Sequence, residues 1–319
     1  MQTHKKKVLP LTDKNGMITG MYVYSDLRRI LRSGNHLRQN TDINGQLRVA
    51  AAIGVEDYDR AEKLRDANVD VLVLQSAHCD TNSMINTLQY LKKNPAFNDI
   101  DIVIGNVSEP YSALRMADAG ADGILVGQGG GSICTTRIVA GIGCPQVTAI
   151  DQCERALRNH QIPICSDGGI VNSGDIVVAL GAGAKSCMVG NLLAGTDETP
   201  GDVFYQQGHP YKSYAGMGSI SRLRSSKASR ERYNLIDTGK SELIPEGVEA
   251  RVPYKGPVAT IINQAIGGIR SGMGSAGAKT IDELRRTAQF HRITSAGLRE
   301  SHPHNIDIAV EAPNYWSKR

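Results

Sequence analysis

The stretch GQGGGSICTTR, residues 127–137, sets one cysteine among glycines directly behind an apolar run with strand character. Glycines let a backbone turn tightly and present its N–H and C=O groups to a ligand or ion, and Ser132 can donate to a phosphate oxygen. Cys134 projects from a loop that something else must rigidify. A thiolate is a capable nucleophile, and nearby N–H groups or a cation lower its pKa. A lone loop cysteine is more often a packing residue, but this glycine-rich setting argues for chemistry. Asp167, with Gly168 and Gly169 behind it, ends a second apolar run, and Gly190 with Asn191 ends the next. A carboxylate so placed can accept both hydroxyls of a ribose while the glycines admit a phosphate to the backbone. SDGG alone reads equally well as a tight turn capped by its aspartate. Paired with the second turn one unit later, it points to a nucleotide monophosphate.

The elements that must hold these groups are apolar runs rich in Val and Ile at 47–54, 69–76, 100–107, 121–129, 162–169 and 184–191. Each is followed by a polar or glycine-rich turn and then a helical pattern, which implies a parallel sheet covered on both faces. An open doubly wound sheet and a closed eight-stranded barrel both use that alternation. Asn106, Gln128, Asp167 and Asn191 all lie at or just beyond the C-terminal ends of runs, where a β/α barrel carries its catalytic rim. The expected fold is therefore α/β, of the (β/α)8 TIM-barrel type, with about six of the eight β/α units in this chain.

Composition narrows the partners. At 319 residues, 40% hydrophobic and 21% charged, the chain has the make-up of an ordinary globular protein. A net charge of +4 spread along the sequence is not the footprint of a nucleic-acid binder, and an anionic small molecule suits it better. Six irregularly spaced cysteines without a CxxC pair read as reduced thiols of a cytoplasmic protein. No stretch approaches the roughly 20 apolar residues of a membrane span. Residues 6–33 read as strand, turn, strand and amphipathic helix. The polar, basic segment 204–256 has few apolar anchors and reads as a mobile excursion over the rim. Helical periodicity returns at 257–271 and 279–289, before a polar, extended tail.

GGGSICTTR with GIGCPQVTA behind it, then ICSDGGI, MVGNLLAGT, YAGMGS, ERYN, PEGVEARVPYKG and ITSAGLRESHPH, follow one another along the chain. In that order they resemble the signatures of the IMP dehydrogenase and GMP reductase family, from residue 47 to the C-terminus. The resemblance implies oxidation of IMP to XMP with NAD. Cys134 attacks C2 of the purine, a hydride leaves to NAD, and water hydrolyses the covalent thioimidate. Thr136 would help position that water, and Arg232 and Tyr233 would activate it. Ser132, Gly169, Gly190, Tyr214 and Gly216 would hold the phosphate, with Gly168, Asn191, Met217 and Gly218 in the same substrate-binding turns. Asp167 would hold the ribose and Glu246 the base edge. Gln75, Asn106, Gly127 and Gly129 are the expected cofactor contacts.

The resemblance also implies a potassium site. Carbonyls of Gly129, Gly131 and Cys134 would form one half, and Glu300, Ser301 and His302 of a neighbouring subunit the other, within a homotetramer. His302 and His304 alone suggest a transition metal, but no third ligand is spaced to join them. Residues 1–38 resemble the end of a second CBS repeat. Residues 39–319 would be the barrel domain, with a flap at about 204–256 and a cation-site tail at about 292–319.

Three departures stand out. The family's first two barrel strands and first CBS repeat have no counterpart here, so the chain reads as N-terminally truncated relative to the family. Gln75, in QSAHCDT, stands where the family has an aspartate that holds the nicotinamide ribose. Asn191 replaces a serine. GMP reductase shares the barrel, the cysteine loop and the phosphate turns, and is the rival enzyme; Arg232, Tyr233 and the CBS remnant favour the dehydrogenase. A non-catalytic truncated homologue, or a regulatory subunit joining a complete one, is the rival from another class. The short N-terminus and Gln75 favour it, whereas Cys134, Thr136, Arg232 and Tyr233 oppose it.

Overall fold

The computed structural model describes residues 6–23, 40–42, 44–233, 235, 243–310 and 312–315. The chain divides into two compact units, Met1–Val49 and Ala50–Arg319. In the first, β1 (Val8–Thr12) and β2 (Ile18–Val23) form an antiparallel pair. Their turn is held by Asp13, whose Oδ1 accepts from the backbone N–H groups of Asn15 at 2.8 Å and Met17 at 2.9 Å, a local aspartate turn. The helix expected after this hairpin lies outside the described residues.

The second unit is built on six parallel strands: β3 (Ala50–Ile53), β4 (Val71–Gln75), β5 (Asp101–Val107), β6 (Gly123–Val126), β7 (Ile164–Asp167) and β8 (Ser186–Met188). They pair in strictly sequential order. A doubly wound sheet reverses its strand order at a switch point, whereas a barrel does not. The order observed is that of six units of a (β/α)8 barrel. Burial follows position in the sheet. β6 is buried at all four residues, while the end strands β3 and β8 are largely exposed or half-buried. Leu72, Leu74, Ile102, Ile104, Ile124 and Ile164 supply the centre of the core.

Helices α1 (Tyr58–Asp66), α2 (Asn82–Lys93), α3 (Pro110–Asp118), α4 (Thr136–Val139), α5 (Gln146–Leu157) and α6 (Ser173–Ala182) connect successive strands, α4 and α5 both lying between β6 and β7. Sequence signals mark their starts: the Thr81 hydroxyl accepts from the Met84 N–H ahead of α2, and Pro110 opens α3.

The segment expected to be a loop excursion is more ordered than its composition suggests. It contains β9 (Phe204–Gln206), β10 (His209–Ala215), α7 (Ile220–Ser225), α8 (Lys227–Arg232) and β11 (Glu249–Pro253). The strands form an antiparallel sheet in the order β11-β10-β9. Backbone pairing, rather than an apolar stripe, holds this sheet, so hydropathy gave no sign of it. Beyond it come α9 (Val258–Ser275), α10 (Ile281–Thr287) and, in the tail expected to be extended, α11 (Ser295–Glu300). Leu180 of α6, Ala265 of α9 and Leu284 of α10 share a second apolar cluster. Among the described residues no helix is long and apolar enough to cross a membrane.

Candidate active site

The C-terminal ends of β4 to β8 open onto a cleft of about 400 Å³. Gln75 ends β4, Asn106 lies in β5, Gly127 follows β6 and Asp167 ends β7, and all four line the cleft. The Asn106 amide donates to the Gly127 carbonyl at 2.9 Å and to Asp167 Oδ2 at 2.7 Å; Gln75 Nε2 donates to Asn106 Oδ1 at 3.2 Å. Burial pushes the Asp167 carboxyl above its ordinary pKa, opposed by the Asn106 hydrogen bond and the charge of Arg232.

Gly127 is where the chain leaves β6, and its φ of +144° suits glycine alone. A Cβ there would lie 1.9 Å from the Asp167 carbonyl oxygen. Gly129, Gly130 and Gly131 then carry the chain along the cleft to Cys134. The Cys134 N–H donates to the Gly131 carbonyl at 3.1 Å, closing a tight turn. Its thiol donates to Thr136 Oγ1 at 3.2 Å, at the first residue of α4. A returning segment fixes this loop from the other side, for Thr135 N–H donates to the Glu246 carbonyl at 2.9 Å and Val248 N–H to the Ile133 carbonyl at 3.0 Å. Arg137 fastens its base, donating from Nε and Nη2 to the Gln128 carbonyl at 3.2 and 3.0 Å, and also to the Cys144 carbonyl.

All six cysteines are free. Burial pushes the Cys79 thiol far up, Cys153 to about 12 and Cys187 to about 11, which leaves them as poor nucleophiles. Cys134 is the thiol that lines the cleft.

Gly168, Gly190, Tyr214, Gly216 and Met217 also line the cleft, Gly168 and Gly216 packed close against the cysteine loop. A methyl on Gly190 would sit 3.1 Å from the Tyr214 hydroxyl, so the two flank one space. Arg232 and Tyr233, at the end of α8, enter the same cleft. The Tyr233 ring occupies the room a side chain on Gly218 would need, and burial raises the Tyr233 phenol above its ordinary pKa. Ser132 and Gly169 lie in the two facing glycine turns and are exposed. The Asn191 carbonyl accepts from Lys255 Nζ at 2.7 Å. The Glu246 N–H donates to the Gly218 carbonyl at 3.0 Å, joining two expected substrate-binding segments.

Glu300 ends α11, and Ser301 and His302 follow it. All three are exposed; the Ser301 hydroxyl donates to the Gly297 carbonyl at 2.8 Å, and His302 Nδ1 lies 3.0 Å from the Tyr315 hydroxyl. Among the described residues no group of three or more His, Cys, Asp or Glu side chains could hold a metal ion. Any cation held by Gly129, Gly131 and Cys134 would be held by carbonyl oxygens.

Sequence reasoning missed Ser76 and Ala77. The Ala77 N–H donates to the Arg232 carbonyl at 2.9 Å, and the Ser76 hydroxyl reaches that oxygen at 3.3 Å. A contact across 156 residues leaves no mark on local composition.

Residues 16–304 match the family model of the IMP dehydrogenase / GMP reductase domain. The inosine-5'-monophosphate dehydrogenase of Helicobacter pylori (strain ATCC 700392 / 26695) is 48% identical over 316 residues, covering 99% of this chain and 64% of that protein. That of Bacillus subtilis (strain 168) is 44% identical over 317 residues, covering 99% of this chain and 63% of its own. A cysteine-to-alanine variant of GMP reductase from Trypanosoma brucei, solved in complex with guanosine 5'-monophosphate, superposes with a TM-score of 0.83 at 41% identity. That match covers 96% of this chain and 62% of the other. The chain thus spans just under two thirds of the length of these relatives, and across that span it belongs to the IMP dehydrogenase / GMP reductase family.

Proposed function

We propose that this chain carries the site for NAD-dependent oxidation of IMP to XMP, with Cys134 as nucleophile. The observation that carries the reading is the convergence of Cys134, Thr136, Asp167, Arg232 and Tyr233 on one cleft, with the thiol 3.2 Å from the Thr136 hydroxyl. Asp167 accepts the ribose hydroxyls. The glycine turns with Ser132 and Tyr214 take the phosphate, and the Glu246 segment faces the base.

The Cys134 thiolate adds to C2 of the purine, forming a C–S bond. NAD, when bound, accepts the hydride that leaves C2. A second cavity of about 490 Å³ meets the substrate cleft at Gln75, Met217 and Arg232, which leaves room for a second ligand. Gln75 lines both spaces, and Asn106, Gly127 and Gly129 line the substrate cleft beside it. Water then attacks C2 of the covalent thioimidate, the C–S bond breaks, the sulfur recovers a proton, and XMP is released. Thr136 orients that water, and Arg232 with Tyr233 takes its proton. Arginine's free pKa is very high, so this role requires Arg232 to be held in place against the water. A hard-oxygen site of Gly129, Gly131 and Cys134 carbonyls suits potassium. Completion by Glu300, Ser301 and His302 of a second copy, in a homotetramer of a cytoplasmic enzyme, belongs to the same reading. So do a CBS remnant at 1–38 and a flap spanning about 204–256.

The test is NADH formation from IMP, NAD and potassium by the full chain, beside Cys134→Ala. Turnover lost in the variant supports the reading; a folded wild-type chain that makes no NADH overturns it. The structural likeness to a GMP reductase favours one second reading, reductive deamination of GMP at the same cysteine. NADPH consumption with GMP, without NADH formation from IMP, would select it.

A further inference from the structure

We infer that Gln128 is a positioning residue that ties the nucleophile loop to the seat of Arg232, so that the two halves of the reaction share one rigid frame. The inference rests on the activity proposed above for its chemical meaning, but not for its structural content.

Gln128 is 6% exposed, and each side-chain group is engaged. Its Nε2 donates to the Ala77 carbonyl at 2.9 Å and faces His78 Nδ1 at 3.1 Å, while its Oε1 accepts from the Ser108 hydroxyl at 2.6 Å. A carbonyl acceptor on one side, joined by His78 Nδ1 in the tautomer that leaves it unprotonated, and a hydroxyl donor on the other match a carboxamide. Ala77 is therefore gripped at both ends: Gln128 holds its carbonyl, and its N–H holds the Arg232 carbonyl. At the other end of Gln128, its own carbonyl is pinned by Arg137, and the next residue begins the glycine run to Cys134. One residue thus spans the base of the cysteine loop and the dock of α8.

This juxtaposition has a kinetic meaning. Addition of the thiolate and loss of hydride need Cys134 and the substrate turns, whereas hydrolysis also needs Arg232 against the water. Loosening residues 76–78 leaves the cysteine loop fastened by Arg137 and the 246–248 segment, and frees Arg232. The second half-reaction is therefore the one that Gln128 serves.

Gln128→Glu keeps the shape and replaces the donor with an oxygen facing the Ala77 carbonyl; Gln128→Met removes the polar groups at similar length. Backbone hydrogen exchange of the full chain is the first measurement. At 226–233 exchange should quicken ~10-fold, as expected for losing one or two buried hydrogen bonds, while β4 and β5 stay protected. Unchanged exchange there overturns the inference whatever the activity. Should Gln128→Glu unfold, seen as lost protection in β4 and β5, Gln128→Met and Ser76→Ala carry the same comparison. Rapid mixing with IMP and NAD is the second measurement. The first-turnover burst of NADH should persist while the steady rate falls ~10-fold or more; an equal fall in both overturns the positioning role. A wild-type chain that forms no NADH would sink the proposed activity, and the exchange comparison would still decide the role of Gln128.

Discussion

The side-chain amide of Asn106 donates to the Asp167 carboxylate at 2.7 Å, and through its second bond, to the Gly127 carbonyl, one side chain gathers the ends of β5, β6 and β7. Asp167 is held where burial opposes its charge, and its folded pKa lies above the ordinary value. Between the unfolded and folded pKa values the native state binds the extra proton, so stability falls as pH rises through that window and stays lower above it. Asp167→Asn removes this cost, and its Oδ1 can still accept from Asn106. The variant should melt ~2 °C or more above the wild type at pH 7. That gain should vanish as pH falls below the unfolded carboxyl value of about 3.9. Its activity should be lost, because a single amide cannot accept both ribose hydroxyls. Scanning calorimetry across pH, with an activity assay, checks both; a gain that persists at pH 3 would rule out ionisation as its source.

How much of this was legible beforehand depends on the distance over which each feature is encoded. The six strands were readable because near-continuous Val and Ile runs such as VLVL and DIVIGNV can be buried on both faces only in a covered parallel sheet. The places of Asp167 and Gly190 on the cleft were readable because two glycine turns, each at the end of an apolar run, follow one another one unit apart. Less visible was the β9 to β11 sheet, whose strands HPYKSYA and EARVP carry no sustained apolar alternation and are held by backbone pairing. The seat of Arg232 on Ser76 and Ala77 was invisible, since the oxygen being held is a backbone carbonyl and encodes nothing in residue type.

Gly127 tests whether the glycine run is there for geometry. Its φ of +144° is open to glycine, and a Cβ would meet the Asp167 carbonyl oxygen at 1.9 Å. Since that obstacle is backbone in a buried strand, it cannot swing aside as a side chain would. Gly127→Ala should cost ~2–4 kcal/mol in urea unfolding, from backbone strain and displacement of β7. A loss under half a kcal/mol would mean that the two strand ends move apart freely.

Lys212 holds the loop behind the Gly190 turn. It is 4% exposed, and its ammonium donates to the carbonyls of Thr196 at 2.9 Å, Asp197 at 3.3 Å and Thr199 at 2.7 Å. Lys255 does the same for Asn191 and Leu192. Two ammonium groups thus gather five carbonyls of a loop that has no strand or helix of its own. Lys212→Met retains most of the stem but leaves its three carbonyls without that donor, and should cost ~2–4 kcal/mol of stability. The KM for the nucleotide should rise as the Gly190 turn loosens. A stable variant with unchanged KM would show that the loop is held elsewhere.

Gln75 ends its strand inside the cleft, and its Nε2 lies 3.5 Å from Asp167 Oδ2. As an amide it satisfies Asp167 and Asn106 instead of offering a carboxylate to a ribose. Gln75→Asp supplies a carboxylate, and a charge-assisted pair of hydroxyl bonds should lower the KM for NAD ~10-fold. It also sets a second negative charge beside Asp167, whose pKa should rise further, moving the acidic limb of the pH–rate profile upward. Both effects come from one substitution, but they report different neighbours. A shifted profile with unchanged KM for NAD would place the cofactor away from Gln75; an altered KM with an unmoved profile would show that Asp167 is not the group titrating on that limb.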